Sequence, residues 1–362
     1  MKEMKNYFFV NSLEDFKKVN SKNIGFFTAQ SQSSKKPNII MMIGDGMGIS
    51  QISSSMYSSN NYTPLERSEF IGLSKTHSLD NLVTDSAASG TALSSGVKTY
   101  NGVLGLDENY NPVKSILEIC RDNGYMTAIL VTSTIVHATP AAYYSKSKSR
   151  YKYEIIADEL SKSNINYFVG GGEKYFNNRD DQRNLMKEMK NYFFVNSLED
   201  FKKVNSKNIG FFTAYDDPIQ KNLGREPSLD DIVEATIEKL STFDKPFFIL
   251  IEGSQIDWAE HDNDPEYLLS EMIEFDKAVD ISFKYAEKSR NTLVVVTADH
   301  ETGGAAIVGG DLEDSKVKIN YSSEEHTSEM VPVFSLGPHS EKFNGIYDNT
   351  EIFNKLFEIV RQ

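Results

Sequence analysis

Residues 38–48 read Asn38-Ile39-Ile40-Met41-Met42-Ile43-Gly44-Asp45-Gly46-Met47-Gly48. The apolar run is nearly unbroken and ends in a glycine-flanked acid. Such a run suits a strand buried on both faces, as in a parallel sheet. Three more runs have the same character: Thr127-Ala128-Ile129-Leu130-Val131-Thr132, Phe247-Phe248-Ile249-Leu250-Ile251 and Leu293-Val294-Val295-Val296-Thr297. Each is followed by polar residues able to hold a metal ion. The second leads to His137-Ala138-Thr139, the third runs into Glu252, and the fourth into Asp299-His300. In open α/β sheets the carboxyl ends of parallel strands line the active crevice. Chance would scatter such residues over both ends.

Helical patterns separate these runs. Val113 to Asp122 ends at Asn123-Gly124, a stop signal, and Ser228 to Leu240 opens with a Ser N-cap and acidic residues in its first turn. Glu266 to Lys288 carries Leu269, Met272, Ile273, Val279 and Phe283 at helical spacing, which reads as core. Glu351 to Val360 forms an amphipathic last helix.

The chemistry-bearing clusters lie at these strand ends and between them. Asp45 sits in a turn whose glycines let backbone approach a ligand. Asp257 and His261 are four apart and share one helical face, so they can chelate one ion. Asp299 and His300 are adjacent and can reach one ion only from a loop. His326 sits in the polar stretch Ser322-Ser323-Glu324-Glu325-His326-Thr327. Each alone is explained by a solvated side chain or a plain turn. Together they make the carboxylate and imidazole set that binds zinc and magnesium. His77 and His339 lack such a setting and read as structural or surface residues. Asp85-Ser86 reads as a helix N-terminus, where free N–H groups favour an anion and a serine alkoxide. Plain capping is the competing explanation. Arg150 has the geometry to clamp phosphate oxygens. A hydroxyl among divalent ions is the equipment of metal-assisted phosphoryl transfer.

The 362-residue chain is 39% apolar and carries a net charge of -14. That charge argues against a nucleic-acid-binding surface. An anionic substrate then needs local positive charge from metal ions or Arg. Cys120 is the sole cysteine, so neither an intrachain disulfide nor a cysteine metal cluster is available. No apolar run approaches the ~20 residues of a membrane span.

Residues 1–29 recur without mismatch as residues 186–214. Architectural repeats diverge and recur several times, so this one reads as a recent duplication or an artefact. The second copy lies inside continuous α/β patterning, from Arg183-Asn184-Leu185-Met186 to the strand-like Asn208-Ile209-Gly210-Phe211-Phe212. It is the native one on this reading. Residues 1–37 are then an N-terminal extension and linker, with 1–29 dispensable, and residues 38–362 form one catalytic domain. Residues 1–29 lack the apolar segment of a signal peptide.

The motif Asp85-Ser86-Ala87-Ala88-Ser89-Gly90-Thr91, with Glu252, Asp257, His261 and the run Thr297-Ala298-Asp299-His300-Glu301-Thr302-Gly303-Gly304, resembles the alkaline phosphatase family. The likeness runs from Asn38 to the C-terminus. It implies a doubly wound α/β fold, with a mostly parallel central sheet and helices on both faces. It also implies hydrolysis of small phosphate monoesters over a broad range, through a phosphoserine, with two zinc ions and one magnesium. By motif, Asp257, His261 and His326 would bind one zinc, and Asp45, Asp299 and His300 the other. Asp45, Thr139 and Glu252 would hold magnesium, with His137 beside them at a position where some relatives carry Asp. Ser86 would be the nucleophile and Arg150 the phosphate clamp. Trp258 stands where some relatives place a Lys or His that reaches the phosphate. The resemblance implies a periplasmic or secreted location and leaves a homodimer open. Competing readings are a phosphodiesterase, sulfatase or phosphomutase of the same superfamily, and a metal- or phosphate-binding protein without turnover. Ser86 is followed by Ala-Ala-Ser-Gly and not by the Pro-x-Arg pattern of sulfatases.

Overall fold

Alternate residues of the first strand face opposite ways. Ile39, Met41 and Ile43 enter one buried cluster, and Ile40 and Met42 another. Phe248 and Leu250 against Ile249 and Ile251, and Leu293 and Val295 against Val294 and Val296, divide in the same way. A strand apolar on both faces needs a layer on each side.

The computed structural model describes residues 36–362, together with the strand backbones Phe8–Val10 and Ile24–Phe26. Its large sheet has ten strands: β1 (Asn38–Gly44), β2 (Phe70–Lys75), β3 (Met126–Thr134), β4 (Tyr167–Gly171), β5 (Phe193–Val195), β6 (Ile209–Phe212), β7 (Phe247–Gly253), β8 (Thr292–Thr297), β9 (Val331–Leu336) and β10 (Gly345–Asp348). Their spatial order is β10-β2-β9-β8-β1-β7-β3-β4-β6-β5. Within this sheet β9 alone pairs antiparallel with its neighbours. Two short antiparallel pairs, Glu301–Thr302 with His326–Thr327 and Ala306–Asp311 with Lys316–Asn320, lie outside it among the described residues. The four runs read from sequence are β8, β1, β7 and β3, and they lie side by side and parallel.

The longer helices are α1 (Ile49–Ser58), α2 (Ser86–Ser95), α3 (Ile116–Asp122), α4 (Tyr153–Lys162), α5 (Leu229–Ser241), α6 (Gln255–His261), α7 (Pro265–Ser289) and α8 (Thr350–Val360). Buried residues of α2, α3, α4 and α8 join one cluster, and those of α1, α5, α6 and α7 join the other. The fold is the doubly wound α/β arrangement.

Two helix readings need correction. The segment expected from Val113 begins at Ile116, because Ser115 and Glu118 form a capping box there. Along α7, Met272, Val279 and Phe283 are buried as expected, but Leu269 and Ile273 are only half-buried. Leu268 and Phe275 take their place, so the buried stripe is displaced by one to two residues.

The chain divides into two compact units, Met1–Lys35 and Lys36–Gln362. In the first, Phe8–Val10 pairs in parallel with Ile24–Phe26, Phe8 opposite Ile24. In the second, β5 and β6 pair in the same register, Phe193 opposite Ile209. The duplicated sequence thus forms the same strand pair twice. The expectation that residues 1–29 are dispensable otherwise falls outside the described residues. The internal copy contributes the buried Phe201, Ile209 and Phe211 to the core.

Candidate active site

Four neighbouring strands end at one edge, and their next residues converge. Gly46 makes the first approach possible. Its backbone has φ +73°, and a Cβ there would lie 2.9 Å from Asp257 Cα. Only glycine lets the turn after β1 sit so close to α6. Asp45, Ser86, Thr139, Glu252, Asp257, Asp299 and His300 are all buried.

The side chains gather into three overlapping groups. Asp257, His261 and His326 form one, Asp45, Asp257 and His300 a second, and Asp45, His137 and Glu252 a third. Within each, the candidate ligand atoms lie within 4.8 Å of one another. The set expected from sequence is Asp45, Asp299 and His300. The second group holds Asp257 in place of Asp299, whose Oδ2 stands beside it, 3.1 Å from His300 Nε2. Thr139 donates to Asp45 Oδ2 at 3.5 Å, which brings it to the third.

The three histidines of the first two groups are held from behind. His326 Nδ1 lies 2.9 Å from the Thr84 carbonyl and His261 Nδ1 2.5 Å from the Glu324 carbonyl. His300 Nδ1 is 3.2 Å from Thr302 Oγ1, whose hydroxyl donates to Asp257 Oδ1 at 2.5 Å. Each ring therefore turns Nε2 inward. Anchoring one imidazole nitrogen so that the other meets a metal is the usual outer support of such a site. The Nε2 atoms of His261 and His326 stand 3.2 Å apart.

Electrostatics point the same way. Both Glu252 oxygens and His137 Nδ1 are buried without a hydrogen-bond partner, and Asp45 Oδ1 and Asp299 Oδ2 share only the His300 Nε2 at 3.5 and 3.1 Å. Orphaned buried acceptors are costly unless something cationic satisfies them. Burial, then the charges of Asp299, Asp257 and Glu252, raise the Asp45 carboxyl far above its usual range. Burial pushes Glu252 up to about 8. Burial, aided by the Arg150 charge, lowers His137 to about 3. The Asp257 hydrogen bond lifts His261 to about 9 against its burial. Carboxylates and imidazoles so placed fit divalent ions. The first two groups mix His and carboxylate, as zinc prefers. Oxygens dominate the third once Thr139 is counted, as magnesium prefers, with His137 an added nitrogen.

Ser86 begins α2, and Asp85 caps it by accepting from the Ala88 N–H at 2.9 Å. Ser86 Oγ is 3.4 Å from His300 Nε2, so the hydroxyl faces the second group. Arg150 Nη1 donates to Asp85 Oδ2 at 3.0 Å. Burial works against the guanidinium charge, and the Asp85 carboxylate outweighs it. Trp258 is half-buried with its ring 5.7 Å from His137, edge to face. His77 pairs with Asp348 instead.

Three supporting residues were not assigned from sequence. Thr302 bridges two of the groups. Gln51 donates to Glu260 at 3.0 Å and Glu301 at 2.9 Å, behind the ligands. Asp85 was read as a cap and also orients Arg150. Thr302 could have been found from its place in the Asp299–Gly304 run. Gln51 carries no local signal, since its partners lie more than 200 residues away.

The alkaline phosphatase family model matches residues 36–315 and 311–362. The chain belongs to the alkaline phosphatase family. Family membership makes it a phosphoric monoester hydrolase. It is 34% identical to alkaline phosphatase 4 of Bacillus subtilis, over 90% of this chain and 88% of that protein. It is 29% identical to alkaline phosphatase of Escherichia coli, over 88% and 85%. Among solved structures, alkaline phosphatase from the Antarctic bacterium TAB5 superposes with a TM-score of 0.85 at 36% identity, covering 90% of this chain and 98% of that one. Variants of that enzyme, with a histidine changed to Glu or Asp, hold magnesium in a site called M3.

Proposed function

We propose that the chain hydrolyses phosphate monoesters of broad range through a phosphoserine on Ser86. Two zinc ions and one magnesium would be held by the groups described above. The observation that carries this reading is the Ser86 hydroxyl at a helix N-terminus, 3.4 Å from His300 Nε2 and beside buried carboxylates. Asp257, His261 and His326 would hold one zinc. Asp45, Asp299 and His300 would hold the other, and Asp45, Thr139 and Glu252, with His137, the magnesium. When bound, such ions lower the pKa of a nearby hydroxyl and offset charge on a departing oxygen.

The residues supply the rest. Ser86 Oγ loses its proton and attacks phosphorus in line, forming the Ser86 O–P bond as the ester O–P bond breaks. The leaving group departs as an alcohol. Water then attacks the same phosphorus from the opposite side and Ser86 is released with inorganic phosphate. Two inversions give retention at phosphorus. The N-terminal end of α2 at Ser86 would favour the negative charge on the phosphoryl oxygens, and Arg150, held in place by Asp85, would offset that charge. Trp258 offers one N–H and no cation at the edge of this site.

Among the described residues no helix is long and apolar enough to cross a membrane. We assign a periplasmic or secreted location from the family alone, and cell fractionation tests it. The enzymatic reading is tested with p-nitrophenyl phosphate, a bis-ester and a sulfate ester, with elemental analysis before and after chelation. Preference for the monoester, lost with zinc, is expected. Preference for the bis-ester or sulfate would overturn it.

A further inference from the structure

One buried side chain outside the ligand groups reaches the segments that carry all three inward-turned histidines. Gln51 lies in the first turn of α1 and is fully buried. Its Oε1 accepts from the Gly48 N–H at 3.0 Å, which fixes the amide and aims Nε2 away from its own helix. Gly48 leaves room for this, since a Cβ there would lie 2.5 Å from Glu301 Cγ. Gln51 Nε2 stands 3.0 Å from Glu260 Oε2, 2.9 Å from Glu301 Oε1 and 3.0 Å from the Thr302 carbonyl. The two hydrogens of one amide thus serve three acceptors on two distant segments.

The positions of those acceptors in the chain carry the inference. Glu260 precedes His261, and Glu301 follows His300. Glu301 Oε2 accepts from the hydroxyl of Thr327, which follows His326. Glu301 pairs with Thr327, and Thr302 with His326, as two short antiparallel strands. Each histidine of the first two groups therefore has a chain neighbour in one hydrogen-bonded cluster, with Gln51 at its centre. The cluster depends on that amide unevenly. Glu301 Oε1 also accepts from the Ala305 N–H at 3.1 Å. The Glu260 carboxyl is buried, its Oε1 has no partner, and Gln51 alone donates to it among the described residues. A buried acceptor that loses its donor bears the full desolvation cost, which favours movement of the segment that carries it. That segment, the end of α6, holds His261.

We propose that Gln51 is a positioning residue that sets the spacing of His261, His300 and His326, and with it the retention of zinc by the first two groups. The proposal rests on the reading of those groups as zinc ligands. Gln51 bonds to none of the proposed ligands and acts through Glu260, Glu301 and Thr302. None of Thr139, Glu252 and His137 belongs to the cluster, so the third group is outside its reach.

Two readouts report ligand spacing without turnover. They are zinc affinity, by competition with a chromogenic chelator, and the visible absorption of the cobalt-substituted protein. Gln51→Met, close in volume and without donors, is expected to weaken zinc binding about 10- to 100-fold and to shift the cobalt bands. Gln51→Glu sets a third carboxylate against Glu260 and Glu301 and should weaken zinc at least as much. Combining Gln51→Glu with Glu260→Gln puts the amide on the other side of the same bond at unchanged net charge. That exchange should recover about tenfold in zinc affinity over Gln51→Glu alone. Magnesium affinity at saturating zinc should change less than about twofold. If the Gln51 variants fail to fold, Thr327→Val decides the matter. It is a half-buried, isosteric change that removes the link to His326, and zinc should leave at least about threefold faster. Unchanged zinc affinity in folded Gln51→Met, no recovery in the exchange, or an unchanged zinc off-rate in Thr327→Val would overturn the role of Gln51. A wild-type chain that takes up no zinc overturns the ligand reading and this proposal with it. Zinc held equally by wild type and variants overturns this proposal alone.

Discussion

In the proposed mechanism Ser86 is the residue on which the chemistry depends. Its hydroxyl is buried, heads a helix and faces His300. Ser86→Ala removes no ligand. It is expected to keep its metals and lose activity by at least about 10²-fold, with residual direct hydrolysis. Kinetics paired with elemental analysis check both halves. Trp258 gives a second prediction at this scale. A lysine there would stand beside His137 and add a cation at the edge of the phosphate region. Trp258→Lys should tighten competitive inhibition by phosphate about fivefold, a gain of ~1 kcal/mol for a partly screened pair. Turnover should fall where phosphate release limits it. An unchanged inhibition constant would mean the side chain points away. Steady-state inhibition kinetics decide the matter. Asp45, Glu252 and Asp299 stand out in the sequence because each follows an apolar strand, whereas Ser86, Arg150 and His326 follow none and stand out by other signals. Thr302 and Gln51 do not stand out, because their roles arise from contacts made only after folding.

The contact between α1 and α7 carries a pH-sensitive group. Asp276 on α7 accepts from Ser55 of α1 at 2.6 Å, and its burial raises it from 3.8 to about 6. Between about pH 4 and 6 the folded chain therefore holds a proton that the unfolded chain has lost. Stability from this group falls as pH rises through that window and is flat above it. The cost at pH 7 is bounded at about 3 kcal/mol. Asp276→Asn should raise the thermal midpoint at pH 7 and flatten the slope between pH 4 and 6. Thermal unfolding across pH checks both, and an unchanged slope would contradict the assignment. Elements differ in how plainly the sequence marks them. β1, β3, β7 and β8 were read because burial on both faces leaves an unbroken apolar run. The antiparallel β9, its neighbour β2 and the edge strands β5 and β10 could not be placed in order. Phe193 and Ile346 are exposed, so their strands lack that run. The start of α3 was misread although its signal was present, since Ser115-x-x-Glu118 is a capping box. Apolar Val113 drew the boundary outward.

At the scale of the molecule the duplicated segment is the distinctive feature. Both copies form a parallel strand pair, but only the internal one has its pair in the large sheet. Removing Met186–Ala214 would delete Phe201, Ile209 and Phe211 from the core. At roughly 3 kcal/mol for each large apolar side chain, that loss is comparable with the whole stability of a domain. Such a chain should fail to fold, as judged by circular dichroism and metal content. A chain beginning at Ser33 is expected to keep both metal content and specific activity. A large loss of either would show that the first copy supports the enzyme. The central claim is that a covalent phosphoserine forms at Ser86. It is tested most directly by mixing the metal-loaded enzyme with radiolabelled phosphate at acidic pH, quenching in acid and mapping the label. The label is expected on Ser86 alone, absent from Ser86→Ala and abolished by chelation. Label on another residue, or label on Ser86 that survives complete metal removal, would contradict the account.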